Sequence, residues 1–263
     1  MSTQQQLLDE ATATDLRALV ERSPLTHCLT NIVVTNFTAN VLLAVGAAPA
    51  MVIAEQEADQ FARLADAVLV NVGTVTDGDI GGFRNAATAA RGAGTPWVLD
   101  PVAYGALPYR SRIVEELLGS SPTVIRGNAS EILALAGLQS EVRGPDSTAE
   151  SVDAVHAAKT LAQRTGAVVA VSGVTDYITD GQAVVAVEGG HALMPKVTGT
   201  GCALGAVIGA FVAVSPTPLQ GAVSASTVFA AAGQRAGSRV SGPGSFAPAF
   251  LDELYLLGHD DQS

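Results

Sequence analysis

The chain is poor in cysteine, in lysine and in basic charge generally. Cys28 and Cys202 are its only cysteines, and they form neither a C-x-x-C nor a metal-ligand spacing. A disulfide framework and a structural zinc site are therefore excluded, and a reduced cytoplasm is the expected location. Lys159 and Lys196 are the only lysines, and 14 basic residues face 25 acidic ones for a net charge of −11. Charge of that sign repels nucleic acid and anionic lipid, and no local basic patch opposes it, so neither is an expected partner. No apolar run reaches the ~20 residues needed to span a bilayer. The first ten residues lack the basic and then apolar blocks of a secretory signal, and no repeat of solenoid period occurs.

Two familiar phosphate motifs are missing as well. A P-loop needs Gly-x-x-x-x-Gly-Lys-Ser/Thr, whereas Lys196 here precedes its glycines. A dinucleotide fingerprint needs Gly-x-Gly-x-x-Gly, but Gly199, Gly201 and Gly205 follow Gly-x-Gly-x-x-x-Gly, and no acidic residue near 220 waits for a ribose.

What is present is a long alternation. With 263 residues and 48% hydrophobic content, the chain is read as one domain over 1–263. Apolar runs at 49–53, 67–73, 96–102, 123–127 and 167–173 read as strands. Helices are expected at 12–22, 32–45, 55–64, 77–92, 109–118, 129–136 and 150–165. Residues 24–31 are too irregular for either period. Continuous apolar strands alternating with helices mean an α/β fold: a mostly parallel central sheet covered on both faces. The segment 177–185 turns at Asp180-Gly181 and adds an antiparallel edge hairpin. Helices at 200–214 and 219–240 follow, and a last one ends near Leu257.

In such sheets ligands bind beyond the carboxyl ends of the strands. Met51, Gly73, Asp100, Arg126 and Ser172 stand at those ends. The stretch Lys196-Val197-Thr198-Gly199-Thr200-Gly201-Cys202 then opens a small, apolar helix. Its glycines permit a tight turn, and the first amides of a helix are a ready anion site. Cys202 falls in the first turn, where a thiol pKa is expected to drop. It is either a small core residue or a weak base beside the anion hole. Arg126 suits either a phosphate or a salt bridge. Asn128-Ala129-Ser130-Glu131 is a capping box, whose Glu131 together with Asp100 could also orient Mg²⁺. Asn31 either caps a helix or faces a small polar ligand. The histidines at 27, 156, 191 and 259 show no triad or metal spacing.

Taken together, four segments resemble one family closely: Pro24 to Asn40 (PLTHCLTNIVVTNFTAN), Leu99-Asp100-Pro101-Val102, Ile125 to Ile132 (IRGNASEI) and Lys196 to Cys202 (KVTGTGC). The chain is similar to hydroxyethylthiazole kinases. That resemblance implies a ribokinase-like three-layer α/β/α sandwich and transfer of the ATP γ-phosphate to the primary hydroxyl of 4-methyl-5-(2-hydroxyethyl)thiazole, a thiamine salvage step. It also implies Mg²⁺ and a homotrimer with sites at subunit interfaces. Carried over by position, Arg126 and Ser172, with Asn128 and Gly201 in support, bind ATP. Met51 and Gly199 bind the thiazole, with Asn31 and Gly73 as further candidates. Asp100 and Glu131 organise the metal, and Cys202 takes the place of the base. The chain departs from the family pattern at Cys28, usually Asn, and at Ala103-Tyr104, usually Gly-Ala, so Tyr104 is expected to narrow the pocket or alter acceptor choice. Two alternatives stay open: a kinase for a related hydroxymethyl heterocycle such as hydroxymethylpyrimidine, and a non-catalytic thiazole-binding regulator.

Overall fold

The computed structural model describes residues 8–138 and 147–259; the first ten residues of the chain, read above for a signal, fall largely outside that range. The chain runs α1 (Glu10–Arg22), β1 (Leu25–Leu29), α2 (Thr35–Val45), β2 (Ala48–Ala50), α3 (Glu55–Leu64), β3 (Ala67–Asn71), α4 (Asp77–Ala93), β4 (Trp97–Asp100) and α5 (Pro108–Leu118). It continues through β5 (Val124–Asn128), α6 (Ala129–Ala136), α7 (Ser147–Thr165), β6 (Val168–Ser172), β7 (Thr175–Thr179) and β8 (Val184–Glu188). A single 3₁₀ turn at Met194–Lys196 leads into α8 (Thr200–Val212), α9 (Pro218–Arg239) and α10 (Pro243–His259).

The eight strands form one sheet in the order β2-β1-β3-β4-β5-β6-β7-β8, parallel through β6 and antiparallel in the closing hairpin. Side chains alternate across it. Leu69, Val98 and Val124 pack with α1, α2, α8, α9 and α10 on one face, while Val68, Val70, Leu99 and Ile125 pack with α3 to α7 on the other. Burial on both faces is what makes these strands read as unbroken apolar runs.

One expectation fails. Residues 24–31, expected to be irregular, contain β1, an interior strand paired to β2 and β3. Its polar letters hid it: Thr26, His27 and Cys28 are all fully buried. Thr26 Oγ1 donates to the carbonyl of Pro24 at 3.3 Å, and His27 Nε2 lies 2.6 Å from the carbonyl of Val52. These bonds hold polar side chains that the periodicity rule counts as surface, and His27 Nδ1 is buried without a partner. Other boundaries shift: β2 has only three residues, α2 starts at Thr35, three residues later than expected, and α7 starts at Ser147, three residues earlier.

The layer of α8 lies closest to the sheet. Gly201, Gly205 and Gly209 recur every fourth residue, so they share one helix face. A Cβ added at Gly205 would sit 3.2 Å from Leu69 Cδ1, and one at Gly209 would sit 3.5 Å from Ala67 Cβ. Any side chain larger than alanine there would lift the helix off β3 and β4.

Glycines in α4 separate two effects. Alanine is favoured over glycine in a helix by about 1 kcal/mol. At Gly92, where a Cβ meets nothing nearer than Arg63 at 3.9 Å, Gly92→Ala is expected to raise stability by up to that amount. At Gly82 the new Cβ would collide with the carbonyl oxygen of Ile53, and overpacking costs of about 1–3 kcal/mol exceed the propensity gain. Gly82→Ala is therefore expected to destabilise, and urea unfolding of the two variants checks both signs.

Candidate active site

The parallel register sets polar residues side by side at the carboxyl edge of the sheet. Asn71 of β3 lies opposite Asp100 of β4, and Asn128 of β5 opposite Ser172 of β6. From this edge a hydrogen-bonded chain runs sideways. Asn31 Nδ2 donates to Asn71 Oδ1 at 3.0 Å, and Asn71 Nδ2 donates to Asp100 Oδ2 at 2.7 Å. Arg126 Nη1 lies 3.7 Å from the same Asp100 oxygen. Its Nε and Nη2 donate to Ser172 Oγ at 3.1 and 2.8 Å. Ser172 thus accepts twice and keeps its own hydrogen for an acceptor in the adjoining cavity.

Over this edge stands the start of α8. Gly199 caps it at φ +96°, a left-handed conformation that glycine adopts freely. Thr200 Oγ1 shares its one hydrogen between the carbonyls of Met194 and Val197, at 2.9 and 3.1 Å, and pins the loop. The helical ladder begins with Ala203 N–H donating to Gly199 O, which leaves the amides of Thr200, Gly201 and Cys202 outside it. A Cβ on Gly201 would lie 3.3 Å from Arg126 Nη2, so guanidinium and helix start share one spot. Asn31 Nδ2 also reaches Cys202 Sγ at 3.5 Å.

A cavity of about 770 Å³ opens beside them. Its polar end holds Arg126, Ser172, Asp176 and Gly201, and its apolar wall is formed by Val187, Met194, Leu204 and Phe229. That size and polarity suit a nucleotide, with phosphates at the cationic end and the base on the apolar wall. Asp176 accepts from Gly173 N–H at 2.9 Å, and burial raises its pKa.

Glu131 is the N3 residue of the expected capping box. Its Oε2 accepts from Asn128 N–H at 2.9 Å while Asn128 Oδ1 accepts from Glu131 N–H at 2.9 Å. Its Oε1 accepts from Ala103 N–H at 2.8 Å. Ala103 pays for that contact with φ +59°, a region that costs an L residue about 1–2 kcal/mol. Both Glu131 oxygens are thus occupied by backbone, whereas Asp100 Oδ1 is buried without any hydrogen-bond partner. Among the described residues no group of three or more His, Cys, Asp or Glu is arranged to hold a metal. The fit is to a cation held mainly by phosphate oxygens and water, with Asp100 Oδ1 as the free protein acceptor.

The structure thus gathers Asn31, Gly73, Asp100, Arg126, Ser172, Gly199, Gly201 and Cys202, with Asn128 and Glu131 on the flank. Gly73 has no room for a side chain, since a Cβ would lie 2.8 Å from Asn31 Nδ2. Met51 is not gathered. It follows β2, three strands from β4, or roughly 14 Å at ordinary strand spacing, and packs in the α1, α2 and α8 to α10 layer. Two further expectations are corrected. The Cys202 pKa is raised, because burial outweighs the helix start and Asp100 adds to the effect. Tyr104 turns from the site to α5, where its hydroxyl donates to Glu115 at 3.2 Å. Cys28 is a core residue whose thiol burial pushes up to about 12. Sequence reasoning missed Asn71, although a polar residue ending an apolar strand was the signal used for Asp100. It also missed the apolar wall, which carries no motif.

Burial pushes Asp100 up to about 7 from the ordinary 3.8, against the pull of Arg126. The folded protein then holds a proton that the unfolded chain has released, so stability falls as pH climbs through that window and stays lower above it. Asp100→Asn is expected to raise the melting temperature by several degrees at about pH 8 and to lose that advantage near pH 4. Thermal scans at the two pH values check it; a less stable variant at the higher pH would mean that the Arg126 pair outweighs desolvation.

Known proteins share this arrangement of elements. A sequence model of the hydroxyethylthiazole kinase family matches residues 16–260. The hydroxyethylthiazole kinase of Leptospira borgpetersenii is 56% identical over 243 residues, which are 92% of each chain. The structure of the hydroxyethylthiazole kinase protein from Pyrococcus horikoshii OT3 superposes with a TM-score of 0.86 at 40% identity, covering 93% of this chain and 92% of that one. Pyridoxal kinase from Staphylococcus aureus superposes at 0.60 with 17% identity over 80% of this chain and 87% of that one, a likeness of ribokinase-like fold alone. At such identity across nearly the whole length, the chain belongs to the hydroxyethylthiazole kinase family.

Proposed function

We propose that this chain transfers the γ-phosphoryl group of ATP to the primary hydroxyl of 4-methyl-5-(2-hydroxyethyl)thiazole, a thiamine salvage step, as a single domain. Membership of the family carries the activity. The observation that best supports the residue roles is the convergence of Arg126, Asp100 and the α8 amides at the polar end of the cavity. Arg126 and Ser172 bind the polyphosphate, and the amides of Thr200 to Cys202 hold the oxygens of the group in transfer. Asp100, with Glu131 holding the 101–103 turn beside it, orients Mg²⁺; the metal, when bound, neutralises charge on the phosphate oxygens. Asn128 acts through the capping box.

The acceptor enters beside Asn31, Gly73 and Gly199. Cys202 orients its hydroxyl, and because the thiol is protonated at neutral pH it contributes little as a base. Met51 follows the edge strand β2, and Ile32 and Val33, beyond the end of the neighbouring β1, are 83% and 61% exposed. In a homotrimer with sites between subunits, that edge would be covered, and Met51 would complete a neighbour's site. The enzyme works in the cytoplasm on a small-molecule substrate, and no described helix is long and apolar enough to cross a membrane.

Product formation from ATP, Mg²⁺ and the thiazole, beside hydroxymethylpyrimidine and a no-acceptor control, tests the reading. Phosphorylated thiazole in excess is expected. Pyrimidine product alone would move the acceptor assignment, and thiazole binding without turnover would point to a regulator. EDTA should abolish turnover, and light scattering should give the mass of three chains. Cys202→Ala is expected to lower kcat only about tenfold, below the ~10²–10⁴-fold usual for a proton-transfer group, because the thiol orients the acceptor and hardly acts as a base. Gly199→Val is expected to nearly abolish activity, because its Cβ would lie 3.0 Å from Val34 Cγ1 on a left-handed backbone. Equal losses in the two variants would overturn that ranking.

A further inference from the structure

Asn71 is fully buried, does not line the cavity, and yet joins the phosphate side of the site to the acceptor side. Its amide can face only one way. Gly73 N–H can only donate, so the carbonyl oxygen of Asn71 must face it, at 3.0 Å, and the amino group of Asn71 then points to Asp100 Oδ2, at 2.7 Å. The same carbonyl oxygen also accepts from Asn31 Nδ2, at 3.0 Å. Turned over, the amide would set oxygen against oxygen at Asp100 and N–H against two N–H donors. The neighbours therefore fix its orientation.

The consequence reaches Cys202, whose sulfur is within side-chain hydrogen-bond reach of Asn71 itself as well as of Asn31. Asn31 must present Nδ2 to Asn71, and the same amino group is the one that reaches Cys202 Sγ at 3.5 Å. The sulfur receives an N–H from that side, so its own hydrogen is left for the open side, where an acceptor hydroxyl arrives. Gly73 closes the cluster, since a Cβ there would crowd both Asn31 Nδ2 and Asn71 Oδ1.

We propose that Asn71 is a positioning residue: Gly73 N–H and Asp100 Oδ2, on its two sides, set the direction of the Asn71 amide, which sets that of Asn31 and so the donors that Cys202 sees. This inference rests on the phosphoryl-transfer reading for its kinetic consequence, and on contacts alone for its effect on Cys202. Its signature is a defect on the acceptor side while ATP binding is spared.

The test uses Asn71→Leu, similar in volume and without polar atoms, and Asn71→Ser, too short to reach both partners, in case the first folds poorly. In the intact enzyme, either variant is expected to raise the thiazole KM by about tenfold or more and leave the ATP KM within about twofold, the scale of one buried hydrogen bond to a charged group. A purely space-filling role predicts instead that Asn71→Leu behaves like wild type. A second readout needs no acceptor: the iodoacetamide alkylation rate of Cys202, Cys28 being fully buried. Asn31→Ala and the Asn71 variant should each change it in the same direction, and the double variant should change it by less than the product of the two. Acceptor and ATP constants rising together, or single-variant alkylation effects that multiply, would overturn the proposal. A wild type inert towards thiazole would refute the proposed acceptor, while the alkylation cycle would still decide the relay.

Discussion

The site depends on how closely the start of α8 approaches the carboxyl ends of β3, β4 and β5. Three glycines at intervals of four residues make that approach possible, with Gly201 against Arg126 and Gly205 against Leu69 and Asp100. Unsatisfied amides at a helix start are common to every helix. Here they converge with a guanidinium and a carboxylate because glycines line the strip of the helix that meets Arg126, Asp100 and β3. The dipole of α8 and the charge of Arg126 add at one point, and an anion placed there gains from both. The apolar length of the helix, buried from Ala203 to Val212, keeps that end from moving away.

A cost accompanies this arrangement. Asp100 is 1% exposed and has one oxygen without a partner. Arg126, the nearest cation, is shared with Ser172 and stands 3.7 Å away, too far for the close pairing that offsets desolvation. In a stability-optimised core, such a carboxylate would be replaced or fully bonded. Its retention, with the strained Ala103 turn bonded to Glu131 nearby, fits a site whose remaining bonding capacity is reserved for a ligand.

Much of this was legible in the sequence because the sheet is buried on both faces. A strand such as 67–71 or 97–100 shows no surface side, so its apolar run stands out, and its end marks the ligand edge without a motif. The antiparallel hairpin was legible from Asp180-Gly181. Most of what was illegible has one physical cause: polar side chains that are buried in the core look like surface. Thr26 and His27 hid β1, and Asn71 passed as the tail of a strand because its partners come from residues 40 positions before and 29 after it. Met51 has another cause. Its proposed role lies in a neighbouring copy, and one chain cannot display it.

The raised pKa of Cys202 changes where catalytic weight falls. A first-turn thiol at the helix start was expected to be acidic, but Asp100 across the site and removal from water both favour the protonated form. Helix-start stabilisation amounts to about 0.3–1 kcal/mol, and burial of a charge without a full partner costs more. A protonated thiol can still accept the Asn31 N–H and direct its hydrogen at an oxygen. Phosphoryl transfer through a loose transition state asks little of a base, because the acceptor proton leaves late and most charge is on the transferring oxygens. Stabilising those oxygens falls to Arg126 and the α8 amides, and holding the acceptor in line falls to the asparagine chain. The geometry that buries the thiol is thus the geometry that makes its basicity dispensable.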